Sequence, residues 1–169
     1  MNENSSVDYV IGVANRLVES SPLGEELTPD QRATLATIIR VAGLRRGDFL
    51  IKEGEVDDSL QVLVTGRLEV VKQDQGGDYV TLHVLHPGEM AGALGFIDGK
   101  PHSASLRALE NSEVFVIHRP ELEGLIAAQP ELVYKVMRAI VRAVHKTVGR
   151  MNFQFVQLTD YICHQHGKF

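Results

Sequence analysis

Between His86 and Leu109 the chain reads HPGEMAGALGFIDGKPHSASLRAL, with Gly88, Gly92, Gly95 and Gly99 set among small and apolar residues. Glycine this dense serves a special backbone path, because a residue without Cβ lets the main chain turn through positive φ or come close to another group. Two readings stay open at this point: the backbone approaches a ligand, or it bends inside a tight roll. Other arrangements that could carry chemistry are sparse. His83 and His86 are three residues apart, which on a strand puts them on opposite sides. Cys163, His164 and His166 are dense but terminal, without a core to orient them as ligands. No serine-nucleophile motif, phosphate-cradling P-loop or paired catalytic carboxylates are found, so hydrolase and kinase readings have no support and we expect no enzyme.

The elements that must position the glycine-rich stretch follow from periodicity. Val7, Val10, Ala14 and Leu17 mark one face of a first short helix, which Ser21, Pro22 and Gly24 end. Thr28, Pro29, Asp30 and Gln31 supply an N-cap, a proline at the first helical position and a capping-box glutamine. This predicts a helix to about Ala42 that buries Leu35, Ile38 and Ile39 and stops at Gly43. From Asp48 to Ile117 the period falls to two, with Leu60, Val62 and Val64, then Val80, Leu82 and Val84, then Val114 and Val116. Regular turn signals between these runs predict an antiparallel sandwich or roll, interrupted only by a helical turn or two at Ala91 to Ile97.

After Arg119-Pro120 the pattern turns helical, first over Glu121 to Ala127 and then in a long helix opened by Pro130. Val133, Met137, Ile140, Val144, Val148, Met151, Phe155, Leu158 and Ile162 form a seam with one stutter at Val144 to Val148. A helix roughly 45 Å long, at about 1.5 Å per residue, outruns the body it leaves. We expect it to meet a second copy of itself, making a homodimer; the rival is packing of the stripe onto the chain's own roll. Gly149 allows a bend. The fold class is therefore α+β. Residues 1–45 carry N-terminal helices, 46–119 an antiparallel β-roll, 120–163 the short helix and the long dimerisation helix, and 164–169 a tail.

Composition sets the bounds. A chain of 169 residues, 44% hydrophobic and 23% charged, is long enough to bury a real core. MNENSSVDYV has no basic segment followed by an apolar one, and no run approaches a membrane span, so a cytoplasmic protein with no membrane partner is expected. A single cysteine makes no internal disulfide, and an iron–sulfur cluster usually takes about four. The net charge of −5 divides unevenly, the acidic body preceding a basic tail in which Lys135, Arg138, Arg142 and Lys146 recur at helical spacing. That stripe is either a surface for an acidic partner or a solvated face leaning on the acidic body.

The order of helix, roll, short helix and long helix, with LRRGDFLIKEGEVDDSLQVLVTGRLEVV (Leu44 to Val71) and the glycine-rich stretch, resembles the cyclic-nucleotide-binding domain. This is the sensor of catabolite activators and of cAMP-dependent protein kinase regulatory subunits. Gly47, Gly54 and Gly66 fall at that family's turn glycines, and the resemblance covers about residues 25 to 160. It implies a double-stranded jelly roll whose cyclic phosphate lies on backbone amides at the start of a short internal helix, where unpaired N–H groups and the helix dipole favour an anion. The implied ligand-binding residues are Met90, Ala91, Gly92, Ala93, Leu94, His102, Ser103 and Ala104, with Thr147 on the long helix facing the base. For Thr147, setting the register of the helix seam is the alternative.

The departures from the resemblance matter more. Where the family carries a glutamate for the ribose hydroxyl and an arginine for the phosphate, this chain has Ala93 and His102. Glu89 belongs to the preceding turn, and Arg107 lies on the opposite face of its strand. Charge-assisted hydrogen bonds contribute roughly 1.5–3 kcal/mol each, so losing both contacts costs on the order of 4 kcal/mol, about a thousandfold in affinity. Ser103 and the helix amides leave room for a small anion, most readily below about pH 6.5 if His102 is protonated.

We thus expect a regulatory module that takes cAMP or cGMP weakly or not at all, needs no metal or other cofactor and signals through a protein partner. Past the long helix, Cys163 to Phe169 are too few for a DNA-reading unit, so direct DNA binding is not expected. Two alternatives differ in class: a ligand-free structural adaptor, and a metal protein on a similar roll, as in cupins.

Overall fold

The computed structural model describes residues 12–166. Helix α1 runs over residues 12–19 and buries Ala14 and Val18 completely, while Val7 and Val10 of the expected apolar face lie outside the described residues. Helix α2 (Pro29–Ala36) starts on the anticipated capping box: the Gln31 N–H donates to Thr28 Oγ1 and the Thr28 N–H to Gln31 Oε1.

The expected continuation of α2 to Ala42 is not found. The helix ends at Ala36, and Ile39–Leu44 forms strand β1, six residues paired antiparallel with β8 (Ser112–His118) from Ile39↔Ile117 to Leu44↔Ser112. A run of β-branched residues, Ile38, Ile39 and Val41, loses rotamer freedom in a helix and fits a pleated surface. Pairing with β8 exploits that preference.

Strands β2 (Phe49–Ile51), β3 (Ser59–Thr65), β4 (Leu68–Gln73), β5 (Tyr79–Leu85), β6 (Met90–Ala91) and β7 (Ser105–Ala108) complete two four-stranded sheets. Their orders are β1-β8-β3-β6 and β2-β7-β4-β5, and each pair is antiparallel. Helix α3 (Ala93–Asp98) interrupts the roll where the sequence allows a turn or two. The tight turn at Gly66 (φ 87°) shows why glycine is needed there, since a Cβ would lie 2.7 Å from the Asn111 carbonyl oxygen.

Two strands depart from the simple alternation. Gln61 of β3, expected on a polar face, is only 2% exposed because β3 is covered on both sides. In β5 it is Leu85 that is buried and His83 that turns inward, whereas Val80 and Leu82 stand exposed; the ladder with β4 shifts register at Val70/Val71. A bulge of this kind exchanges which face each following residue takes.

Helix α4 (Arg119–Glu123) is shorter than the predicted Glu121–Ala127, because Leu125 and Ile126 donate three residues back, to Leu122 and Glu123, and tighten into turns. Helix α5 (Pro130–His166) starts at the predicted proline and continues through Cys163, past the expected end. Its first half belongs to the body. Leu132, Val136 and Ile140 are completely buried in one cluster with Leu35, Leu60, Phe96, Phe115, Ile117 and Leu122, and Val133 and Met137 pack against that cluster. Of the predicted seam, Val133, Met137 and Ile140 therefore face the chain's own core, the intramolecular packing weighed above as the rival. From Val148 onward the seam residues are exposed. The basic stripe folds back in the same way, Lys135 onto Glu131 and Gln31, and Arg138 and Arg142 onto Glu26.

A second cluster, with Ile51, Leu63, Leu68, Leu85, Leu106, Ala108 and Val114, fills the space between the sheets. Among the described residues no helix is long and apolar enough to cross a membrane. Truncating Ile140 to alanine removes a side chain with no exposed surface, so urea unfolding should show a loss of about 2–5 kcal/mol; a loss below about 1 kcal/mol would mean that α5 does not close the core.

Candidate functional site

A cavity of about 650 Å³ opens between the roll and α5. Met90 to Gly95 of β6 and α3 form one wall, His102, Ser103 and Ala104 a second, and Ile51, Val70, Leu85 and Leu106 the apolar floor; α5 closes it with residues between Ala139 and Met151, Thr147 among them. All nine residues implied by the resemblance, Met90, Ala91, Gly92, Ala93, Leu94, His102, Ser103, Ala104 and Thr147, line this one cavity. Volume and lining suit a small organic ligand.

The sequence region that decides the family is now in three dimensions. A sequence model of the cyclic nucleotide-binding domain matches residues 43–129, which is half of the chain, from β1 through the glycine-rich wall of the cavity to the turn after α4. The chain belongs to the cyclic nucleotide-binding domain family. Among its relatives, the Neuropathy target esterase sws of Drosophila virilis is 27% identical over 183 residues, covering 99% of this chain and 12% of that protein. The chain thus spans about an eighth of that esterase's length. A solved cyclic nucleotide-binding domain from Methylobacillus flagellatus shares the fold with a TM-score of 0.78 at 22% identity, covering 90% of this chain and 85% of that one. The regulatory subunit of a cAMP-independent protein kinase A from Trypanosoma brucei does so with a TM-score of 0.69 at 18% identity, covering 91% and 53%.

Within this cyclic nucleotide-binding domain, the glycines serve packing. Gly92 has φ 76°, and a Cβ on it would lie 2.7 Å from the Ser59 carbonyl oxygen and run into the Gln61 carboxamide. Gln61 is itself held by Asp57, whose carboxylate also accepts from the Ser59 backbone N–H at 2.9 Å. The glycine-rich segment 90–104, the cassette, is therefore seated on β3 from behind. Gly95 clears the His102 ring, whose Cε1 would be 2.8 Å from an added Cβ. His102 Nε2 is enclosed without a hydrogen-bond partner among the described residues. The carboxylates of Asp57 and Asp58 and the ring of His118 form the one cluster of metal-ligand type found among the described residues, but Asp57 is committed to Ser59 and Gln61, and His118 Nδ1 lies 3.2 Å from Asp58 Oδ1. His83 and His86 do not converge, since His83 lines the cavity and His86 is exposed.

Arg107 does not reach the cavity. It lies 2.7 Å from Glu69 Oε1 and stacks over the rings of Tyr79 (5.1 Å) and Phe49 (5.8 Å). Burial alone would raise the Glu69 carboxyl, but hydrogen bonds from Thr81 and Arg107 and the charge of Arg107 outweigh it and hold that group below its ordinary range. Arg107 is thus tied outside the roll and does not line the cavity.

Sequence reasoning missed one set of cavity residues. Glu89, set aside as a turn residue, lines the cavity; its Oε2 accepts the His86 N–H at 2.8 Å and lies 3.5 Å from His83 Nε2, and its Oε1 lies 3.5 Å from Arg150. Arg142, Lys146 and Arg150 line it from α5. Their spacing of four, with Thr147 next to Lys146, was the available signal.

Burial, followed by the charge of Arg150, lowers the His83 pKa against the opposing pull of Glu89. A depressed histidine pKa means that the unfolded chain takes up the proton first, so stability is lost as pH falls below the ordinary value of 6.5 and is unaffected well above it. In thermal melts at pH 7.5 and pH 5, His83→Gln should narrow the difference between the two conditions. An unchanged difference would show that His83 is not confined as described. Gly92→Ala should destabilise the fold by at least about 1 kcal/mol, through positive φ alone, and a neutral result in the same melts would contradict the seating on β3.

Proposed function

We propose that this chain is a regulatory sensor module whose cavity has lost the phosphate and ribose grip of cyclic-nucleotide binders, so that it takes cAMP and cGMP weakly or not at all. The observation that supports this reading most is the composition of the cavity wall: Ala93 and His102, at the positions where the resemblance implies the gripping glutamate and arginine, both line it, and Arg107 is engaged with Glu69 on the far side of the sheet. Glu89 accepts the His86 N–H at 2.8 Å and so is anchored in its own turn, before the position at which the resemblance implies a ribose-gripping glutamate. That the fold tolerates such a change is supported by its likeness to the regulatory subunit of a cAMP-independent kinase. Ser103, His102 and the α3 end of the cavity keep room for a small anion, with Thr147 on the opposite wall.

The output is read as protein contact. Lys135 is paired with Glu131, and Arg138 and Arg142 share Glu26, which reduces the positive charge this stripe would offer nucleic acid. Val148, Met151, Phe155 and Leu158 are 48%, 59%, 70% and 56% exposed on one seam of α5, and a second copy of the helix would cover them. Homodimerisation through this half of the helix, with Val144 at its cavity end, is part of the proposal. A ligand-free adaptor would share the dimer and differ only in an idle cavity.

Titration calorimetry with cAMP and cGMP at pH 7.5 should give dissociation constants near millimolar, and the Ala93→Glu, His102→Arg double variant should tighten cAMP by about a thousandfold. Micromolar binding by the unaltered chain, or no gain in the double variant, would overturn the assignment. For the dimer, sedimentation equilibrium should show two chains per particle, and one for Phe155→Ser combined with Leu158→Ser. A monomer before substitution sinks that part alone.

A further inference from the structure

We infer that the cavity is an acceptor for an apolar anion whose acid group is held by the long helix, through Lys146 and Arg150, and not by the cassette. The inference rests on the sensor reading above and names the class of ligand. Lys146 and Arg150 are one helical turn apart on the face of α5 that lines the cavity. Arg142, one turn earlier, is already paired with Glu26. Lys146 makes no hydrogen bond or ion pair among the described residues, and Arg150 meets Glu89 only at 3.5 Å, a distance at which an entering carboxylate or sulfonate can take its place. Across from these cations the floor is aliphatic. Positive charge at one end and an aliphatic floor at the other fit a ligand with a flat or branched apolar body and one acidic group.

Other charges face the same space and bear on the balance. Glu25 and Asp98 also line the cavity, Asp98 beside Lys100 at 3.5 Å, and Glu89 remains the internal competitor for Arg150. Displacing Glu89 would leave it to His83, 3.5 Å away, which becomes its next partner. Ligand entry would therefore loosen one tie between α5 and the roll.

The test uses two dyes with the same apolar body, 8-anilino-1-naphthalenesulfonate and the uncharged N-phenyl-1-naphthylamine, read by fluorescence on the full chain. The anionic dye should bind once per chain, and Lys146→Ala combined with Arg150→Ala should weaken it tenfold or more while changing the uncharged dye less than twofold. Ala104→Trp, which places a large ring in the cavity, should abolish both signals; circular dichroism checks that each variant is folded. An anionic dye held equally well by the double variant, or equal losses for both dyes, overturns the inference, as does dye binding that survives Ala104→Trp on a folded chain. Should the Ala104 variant not fold, the two-dye comparison on the Lys146 and Arg150 variant still decides. Tight cAMP binding would instead overturn the sensor reading of the previous subsection and leave the dye comparison intact.

Discussion

Burial of Leu132, Val136 and Ile140 beneath the sheet β1-β8-β3-β6 is the constraint on which the rest of the molecule depends. These three side chains have no exposed surface and share a cluster with Phe96 of α3 and with Phe115 and Ile117 of β8. Fixing the first three turns of α5 against the roll also fixes where its next turns pass. They run over the glycine-rich wall and turn the space between roll and helix into a half-open cavity. At about 25 cal/mol per Å² of apolar surface, three such side chains supply several kcal/mol, more than any surface ion pair in the molecule. The cavity is therefore a by-product of core packing, and its chemistry is free to change without loss of fold.

That freedom shows in how its charge is distributed. The backbone of this wall is set by packing, since a Cβ at Gly92 would meet Ser59 and Gln61 of β3 and one at Gly95 would meet the His102 ring beside it. Shape on this wall is thus maintained by packing, independently of the side chains that would hold a ligand. Positive charge lies on the other wall, where Lys146 and Arg150 stand on the helix. Arg107, the one arginine of β7, is held outside by Glu69, Tyr79 and Phe49.

Much of this was legible in the sequence, for identifiable reasons. The capping box at Thr28 and the proline at Pro130 are local signals with a mechanism, and both helices start there. Eight of the nine residues taken from the resemblance share one cavity because their positions are set by a roll whose turns are marked by glycines, and Thr147 joins them from α5. What the sequence concealed was decided by distant partners. Ile39–Leu44 is a strand because β8 offers it a ladder. The inward turn of His83 depends on a bulge opposite Val70/Val71 that alternation does not reveal. Ile140 is buried and Phe155 is 70% exposed on the same seam, because the body ends between them. Glu89 looked like a turn residue and is one, yet its carboxylate also reaches the helix.

The central claim is that the cassette keeps its shape without its grip. Amide chemical shifts of Gly92, Leu94, Gly95 and Ser103 during a cAMP titration read that directly, since these residues line the space where the phosphate would sit. The account predicts that they stay in place at 100 µM nucleotide, roughly a tenth of a millimolar dissociation constant. Saturating shifts at micromolar nucleotide would contradict it.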